Sequence, residues 1–441
     1  MVPGSRSRSV NRFSVRELPC TIEEVTLCPE PKSRRVPVSL GIVLSEVLLL
    51  VACHDGTEHR RAEAVVRDSA GIRIVENIDP VWRDEEGWTV APEPSLTIGE
   101  VDGPDAYLLY RVRGARRLED GRVVVANGGT NELRIFDASG RHQVTMGGQG
   151  EGPGEFSYLD KLLPWSGDSV AASDRRQRRI SVFSTSGVLG RTIRFPNTGG
   201  WPIPGGLAAD GSIALEPNTG PVGQQQDHII EANQQPLLRF DPVGERYDTI
   251  AFTLSVRWVG GWRVQNAQGR SVRVAVPIPF SGAPHLAAGP SGVYFGYSST
   301  YQIHRWTPER RLDMIVHRAV EPRPVTDEDR AQAWDTATGI RNLRGGVVRQ
   351  RRADVVFNET LPVFDALLVD DLGYLWVRDF APPWEPPPPW AVYDTTGIWL
   401  GTVQTPQGVN VWQVGSDFVI GTKRDESNVE SVGVWQLERG G

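Results

Sequence analysis

Leu118-Glu-Asp-Gly121, Arg122-Val-Val-Val-Ala126, Leu133-Arg-Ile-Phe136, Asp137-Ala-Ser-Gly140 and Arg141-His-Gln-Val-Thr-Met146 follow one another in the first third of the chain. Asp120-Gly121 is a tight turn whose glycine can take positive φ. The apolar run after it and the alternating Leu133 to Phe136 read as strands, and Val112 to Leu118 supplies another before them. Four short antiparallel strands joined by hairpins make one small sheet. The pattern returns with Ser169-Val-Ala-Ala172, Ile180-Ser-Val-Phe183 and Ser184-Thr-Ser-Gly187. Turn and aromatic are fifteen residues apart in both, at 121 to 136 and 168 to 183.

Further turns follow at Ala209-Asp-Gly211, Pro290-Ser-Gly292, Asp371-Leu-Gly373 and Gly415-Ser-Asp417, with downstream aromatics Phe240, Trp306, Tyr393 and Trp435. Each unit is a sheet that can bury its faces only against its neighbours. The expectation is an all-β fold, a six-bladed β-propeller of four-stranded antiparallel blades, over 96–441. Two long steps between turns are filled by insertions at 256–279 and 318–360. In the first, Trp258-Val-Gly-Gly-Trp262 reads as a turn region and Ser271-Val-Arg-Val-Ala-Val276 as a strand. In the second, Thr326 caps a helix with Asp329 as its reciprocal carboxylate. Ala381-Pro-Pro-Trp-Glu-Pro-Pro-Pro-Pro-Trp390 cannot continue a ladder and reads as a projecting loop. Closure of the ring needs a strand from the N-terminal side, either 96–99 or 72–75, on the blade of Phe418 and Trp435.

The composition agrees. Gly and Pro number 47 and 33 of 441 residues, roughly half again the usual share, which suits a fold rich in turns. The net charge is −7, with both signs mixed throughout. The one tight basic cluster, Arg175-Arg-Gln-Arg-Arg179, falls in a hairpin loop, so no nucleic-acid partner is expected. The cysteines stand at 20, 28 and 53, which rules out a disulfide framework or cysteine metal site in the body of the protein. Lys32, Arg34 and Arg35 precede an apolar run from Val36 to Ala52 and then Cys53, the order of an export signal. Residues 1–53 are read as an upstream extension plus that signal, and 54–95 as a tether and edge strands.

Several stretches carry family resemblances. Val170-Ala-Ala-Ser-Asp174 and Leu133-Arg-Ile-Phe-Asp137-Ala-Ser-Gly140 resemble the NHL-type repeat, within the wider group of TolB-like propellers. Gly147-Gly-Gln-Gly-Glu-Gly-Pro-Gly-Glu-Phe156 is similar to the link after the first blade in exported bacterial six-bladed propeller proteins. Leu50-Val-Ala-Cys53 resembles a lipoprotein box, which implies lipidation at Cys53 and a location in the cell envelope, held to the membrane by a lipid anchor only.

The glycine-rich link lacks the helix or the Lys-Ser/Thr pair of a phosphate loop. Gly152, Pro153, Gly154, Glu155 and Phe156 are therefore read as a structural bridge between the first two blades. No two of the seven histidines have ligand spacing, so no zinc motif is present, and no metal or other cofactor is expected. Asp160, His285 and Asp365 begin inner strands, with Trp201 between them in sequence; these four are the candidate ligand site at the channel mouth. Three readings of function stay open. One is an envelope binding or assembly module, monomeric, for a protein, peptide or glycan. The second is an extracytoplasmic lyase or hydrolase with its active site at that mouth, and the third a structural envelope protein.

Overall fold

The computed structural model describes residues 63–83, 86–165, 167–195, 203–216, 229–241, 247–265, 271–343, 347–348 and 355–440. These all belong to the second of the two compact parts of the chain, His59–Gly441. The readings made on 1–53, including Cys53, and on Trp201 lie outside the described residues.

The fold is a β-propeller of small antiparallel sheets, and it corrects the expected six four-stranded blades. Among the described residues four sheets, not six, have the four strands of an expected blade; the others have five and ten. Three of the four are the first, second and fifth repeats: Val112–Arg117 to His142–Gly147, Leu159–Leu163 to Leu189–Arg194, and Phe364–Val369 to Trp399–Val403. The remaining one is assembled from insertions. The third and fourth repeats share the ten-stranded sheet through a parallel bridge between Gly206 and Ala288. A Cβ on Gly206 would stand 2.9 Å from the Ala288 carbonyl oxygen, so only glycine lets the two backbones approach closely enough to bond.

The packing logic of the repeats is visible in the aromatics. Phe136, Phe183, Phe240, Tyr393 and Trp435 are buried, while Trp306 is half-buried. They fill the space between neighbouring sheets; Phe183, for example, joins Val124, Leu133 and Phe156 in one apolar cluster. First strands pack side by side. Val112–Arg117 lies against Leu159–Leu163, Leu159–Leu163 against Ile203–Leu207, and Pro284–Gly289 against both Ile203–Leu207 and Phe364–Val369. Asn410–Val414 returns to Val112–Arg117.

The N-terminal segment closes the ring and straps its rim. Leu96–Ile98 pairs with Glu430–Glu438, and Thr89–Val90 extends the same partner strand. The stretch at 72–75 does not take that role. Ile72–Asn77 runs parallel to Leu312–Arg318 in the fourth repeat, with Ala64–Ser69 as its hairpin partner. The polar segment expected as a tether is therefore folded from Ala64 onward. Between these two anchors the Val81 and Trp82 amides bond the Trp399 and Leu400 carbonyls, and Trp82 and Trp88 pack against the fifth repeat's Trp376 and Trp390.

Two local readings change. Trp258–Gln265 is a strand throughout; Gly260-Gly261 is a register shift within it rather than a turn. The helix spans Asp327–Leu343, and its capping box is formed: the Asp329 amide donates to Thr326 Oγ1 at 3.1 Å, and the Thr326 amide to Asp329 Oδ2 at 3.0 Å.

Asn77 is the polar lock of the strap. Its side chain is 2% exposed. Nδ2 donates to the carbonyls of His317 and Gly397, and Oδ1 accepts from the Trp399 amide at 2.7 Å. Asn77→Ala leaves those groups without partners and should cost about 2–4 kcal/mol, read as a lowered urea midpoint with an unchanged m-value. A loss below about 0.5 kcal/mol would show that the strap contributes little.

Candidate functional site

Asp160, His285 and Asp365 are each the second residue of a first strand, in Leu159–Leu163, Pro284–Gly289 and Phe364–Val369. The equivalent residue of Val112–Arg117 is Arg113. Each first strand is entered from the outer strand of the preceding repeat. Both long insertions are such connections, so they end next to His285 and Asp365. The insertions do not stand apart. Trp258–Gln265 pairs with Ser271–Pro277 on one side, and with Ile229–Ile230 and Val347–Val348 on the other. Excursions from the third repeat and from both long connections are thereby stitched into one four-stranded sheet. Arg257 joins them again, bonding Glu231 at 2.9 Å and Asn358 at 3.3 Å.

Where these excursions return to the first strands, four aromatic rings meet. Phe280 stacks on Phe357 at 6.3 Å and meets Phe380 and Trp384 edge-on. All four are half-buried. Phe280 has φ +63°, a left-handed conformation that a bulky side chain rarely adopts and that concentrates at functional sites. Trp384 belongs to the proline-rich loop. That loop is held down by Arg323, which bonds Glu385 at 2.8 Å and reaches Asp329 of the helix cap.

The structure brings His285 and Asp365 together but leaves Asp160 in a different setting. Arg378 donates to Asp365 Oδ1 at 2.7 Å and Oδ2 at 3.2 Å. Burial pushes the Asp365 carboxyl above its usual range, against the opposing effect of Arg378. His285 packs edge-on to Phe364 at 5.3 Å. Burial first, and Arg378 second, lower its pKa to about 4, so the imidazole is neutral at physiological pH. Asp160 is also raised by burial, and the cations opposing that rise are Arg175, Arg113 and Lys161. Arg378 is the residue that sequence reading missed. It lies diagonal to Asp365, opposite Ala366, and the register shift between Phe364 and Ala366 hides that neighbour from any count along the strands. Among the described residues no group of three His, Cys, Asp or Glu side chains gathers as a metal site.

The glycine-rich link enters the same end at the second repeat, ahead of the Leu159–Leu163 strand that carries Asp160. Phe156 is fully buried, its amide bonds the Gly148 carbonyl at 2.8 Å, and its carbonyl accepts from Gly150 at 3.1 Å. Glu155 Oε2 accepts from the Gly152 amide at 2.8 Å, while Arg179 donates to the carbonyls of Gly152 and Glu155. Pro153 and Gly154 form the bend between them, with Gly154 at φ +79°. These bonds run within the link and across to the second repeat.

Comparisons with known proteins find likenesses of fold alone. The family model described as DUF5128: 6-bladed beta-propeller matches residues 105–198. That name describes the family; the sheets of this chain are those given above. No curated protein matches the sequence. Among solved structures, a Bacteroides fragilis NCTC 9343 protein described as exported is 12% identical, with 83% of this chain and 99% of that chain covered at a TM-score of 0.46. A DUF4221-family member from Bacteroides vulgatus is 10% identical, covering 80% and 99% at 0.45. Virginiamycin B lyase from Staphylococcus aureus is 10% identical, covering 74% and 94% at 0.36. These are likenesses of chain path and carry no statement about ligand or reaction.

His285 gives the site a pH signature. Its folded pKa lies below the unfolded value of about 6.5, so between those two values the unfolded chain binds a proton that the folded chain does not. Stability is full above pH 6.5, falls as pH drops toward 4, and flattens below it. His285→Gln should remove this slope, of the order of 3 kcal/mol across that window. Denaturation midpoints between pH 7 and pH 4 check it; parallel curves for the two proteins would contradict the assignment.

Proposed function

We propose that the protein binds a small polar ligand, a peptide or a glycan, at the end where the first strands begin. The observation that carries this reading is the convergence of three separate excursions into one four-stranded sheet at that end. Long connections without such joining are ordinary surface loops; connections tied to one another are costly to order and are kept where they shape a site. The half-exposed rings of Phe280, Phe357, Phe380 and Trp384 supply a stacking surface. Arg378 and Asp365 supply a fixed donor and acceptor pair, and His285 a neutral imidazole beside them. This is the composition of small-molecule sites, mainly apolar walls with a few placed polar groups.

The second reading, an extracytoplasmic lyase or hydrolase, rests on a narrower observation. Burial raises Asp160 and Asp365, the direction that brings a carboxyl toward proton exchange near neutral pH, and it holds His285 in the neutral form, in which an imidazole accepts a proton. The export reading keeps its place as part of the proposal: lipid label incorporated by the wild type should be lost in Cys53→Ala.

Calorimetric titration of the purified protein against a panel of short peptides and oligosaccharides tests the main reading. At least one class should bind, and Trp384→Ala and His285→Ala should each weaken it by about tenfold. No binding across the panel, or binding indifferent to both substitutions, would overturn the proposal. If the bound compound is also converted, with turnover lost in His285→Ala and Asp160→Asn, the second reading replaces the first.

A further inference from the structure

The charge at the strand-start end is uneven, and its distribution bears on what the ligand carries. The chain as a whole has a net charge of −7. Around Asp160 cations predominate, since Arg175, Arg113 and Lys161 act on it more strongly than Asp174 does. Two of those side chains have fixed positions. Arg113 lies over the Tyr158 ring at 5.4 Å and donates to the Tyr158 hydroxyl at 3.0 Å. The Lys161 ammonium donates to the Gly205 carbonyl at 3.3 Å, toward the third repeat. Arg175 is placed by its backbone, whose amide bonds the Tyr158 carbonyl at 3.2 Å.

A second arginine–tyrosine pair sits one step away. Arg111, at φ +55°, lies over the Tyr110 ring at 4.9 Å, immediately before the strand that carries Arg113. Tyr110 is 58% exposed and Tyr158 38%. Tyr158, two residues before the half-buried Asp160, and Tyr110, just before the neighbouring first strand, therefore present exposed rings, each backed by a guanidinium. Rings of this kind stack on the apolar faces of sugars, guanidinium groups bind carboxylates in two-point fashion, and a carboxylate accepts from hydroxyl groups.

We infer that the ligand of this end is an acidic oligosaccharide, a chain of uronic acid residues, with a carboxylate on Arg113 and hydroxyls on Asp160. The inference rests on the ligand-binding reading above and names the ligand class. Asp160 is the discriminating group. A DNA backbone brings phosphates and no donor for it, so a carboxylate among the cations would be repulsive. A neutral sugar satisfies Asp160 and the rings but leaves the cations unused. A uronate supplies hydroxyl and carboxylate on one ring.

The test uses the full chain and three probes: an α-1,4-linked galacturonate hexamer, the same hexamer as its methyl ester, and a single-stranded DNA oligonucleotide of equal charge. The free acid should bind at least about tenfold more tightly than the ester, with affinity falling as salt rises. Arg113→Gln should abolish that preference while Arg113→Lys retains part of it, which separates lost charge from lost folding. Equal binding of acid and ester, both lost in His285→Ala, would overturn the acidic class and leave the glycan reading intact. Binding of neither sugar form would overturn the inference, and the peptide arm of the calorimetric panel then judges the binding reading separately. An oligonucleotide bound as tightly as the acid through Arg113 would also overturn it.

Discussion

The bond on which the ring depends is a buried one between its two ends. Glu430 opens the last strand of the chain and is 4% exposed. Its Oε2 accepts the Val112 amide at 2.7 Å, and its Oε1 accepts from Arg424 at 2.6 Å. The same strand pairs with Leu96–Ile98, so the last sheet contains residues from both sides of the repeat array. Gly99 shows how tightly the joint is fitted, since a Cβ there would lie 2.9 Å from the Glu430 carbonyl oxygen. A second tie runs beside it, where Gln413 accepts the Arg117 amide and donates to Asp371. An open array would leave two free sheet edges and let its first strands slide; a closed one fixes where each of them begins. The alignment of Arg113, Asp160, His285 and Asp365 at one end follows from that closure.

What the sequence made legible was local. The turn-and-aromatic spacing located the repeats because each is a hairpin series closed by contacts a few residues apart. Asp137 shows the mechanism: its Oδ1 accepts from the Ser139 amide and hydroxyl and from the Arg141 amide, and Asp394 repeats this with Thr396 and Ile398. The Thr326–Asp329 cap was readable for the same reason, whereas the closing strand near Leu96, whose partner is distant, was readable because a closed ring must join its first and last sheets. What escaped depended on choosing a distant partner. Ile72–Asn77 alternates like any edge strand, and nothing in it points to a parallel partner some 240 residues away, as Asn77 and His317 are. The six expected four-stranded blades fail on the same point: a turn and an aromatic mark a repeat without saying whether its sheet gains a neighbour's strand. Gly206 carries no label distinguishing a close backbone approach from an ordinary strand glycine.

The candidate site was legible in part. Asp160, His285 and Asp365 could be placed at strand starts by counting from the turns. Their company could not, because Arg378 reaches Asp365 across a register shift and the aromatic group draws Phe280 and Phe357 from the two long connections and Trp384 from the proline-rich loop. The two sides of this end differ physically. One holds stacked rings and a neutral imidazole beside an ion pair, and the other holds cations around Asp160. Such a division suits a ligand with an apolar face and a charged or hydroxylated edge, bound across the ends of several strands.

Native-state hydrogen exchange tests the central claim, that the two chain ends close the ring as one cooperative unit on which the site depends. The amides of Val112, of the Leu96–Ile98 strand and of the Glu430–Glu438 strand should exchange only with the free energy of global unfolding. Exchange of those amides through a low-energy local opening, while Leu159–Leu163 and Ser169–Asp174 stay protected, would show that the ring holds without its closure and contradict the account.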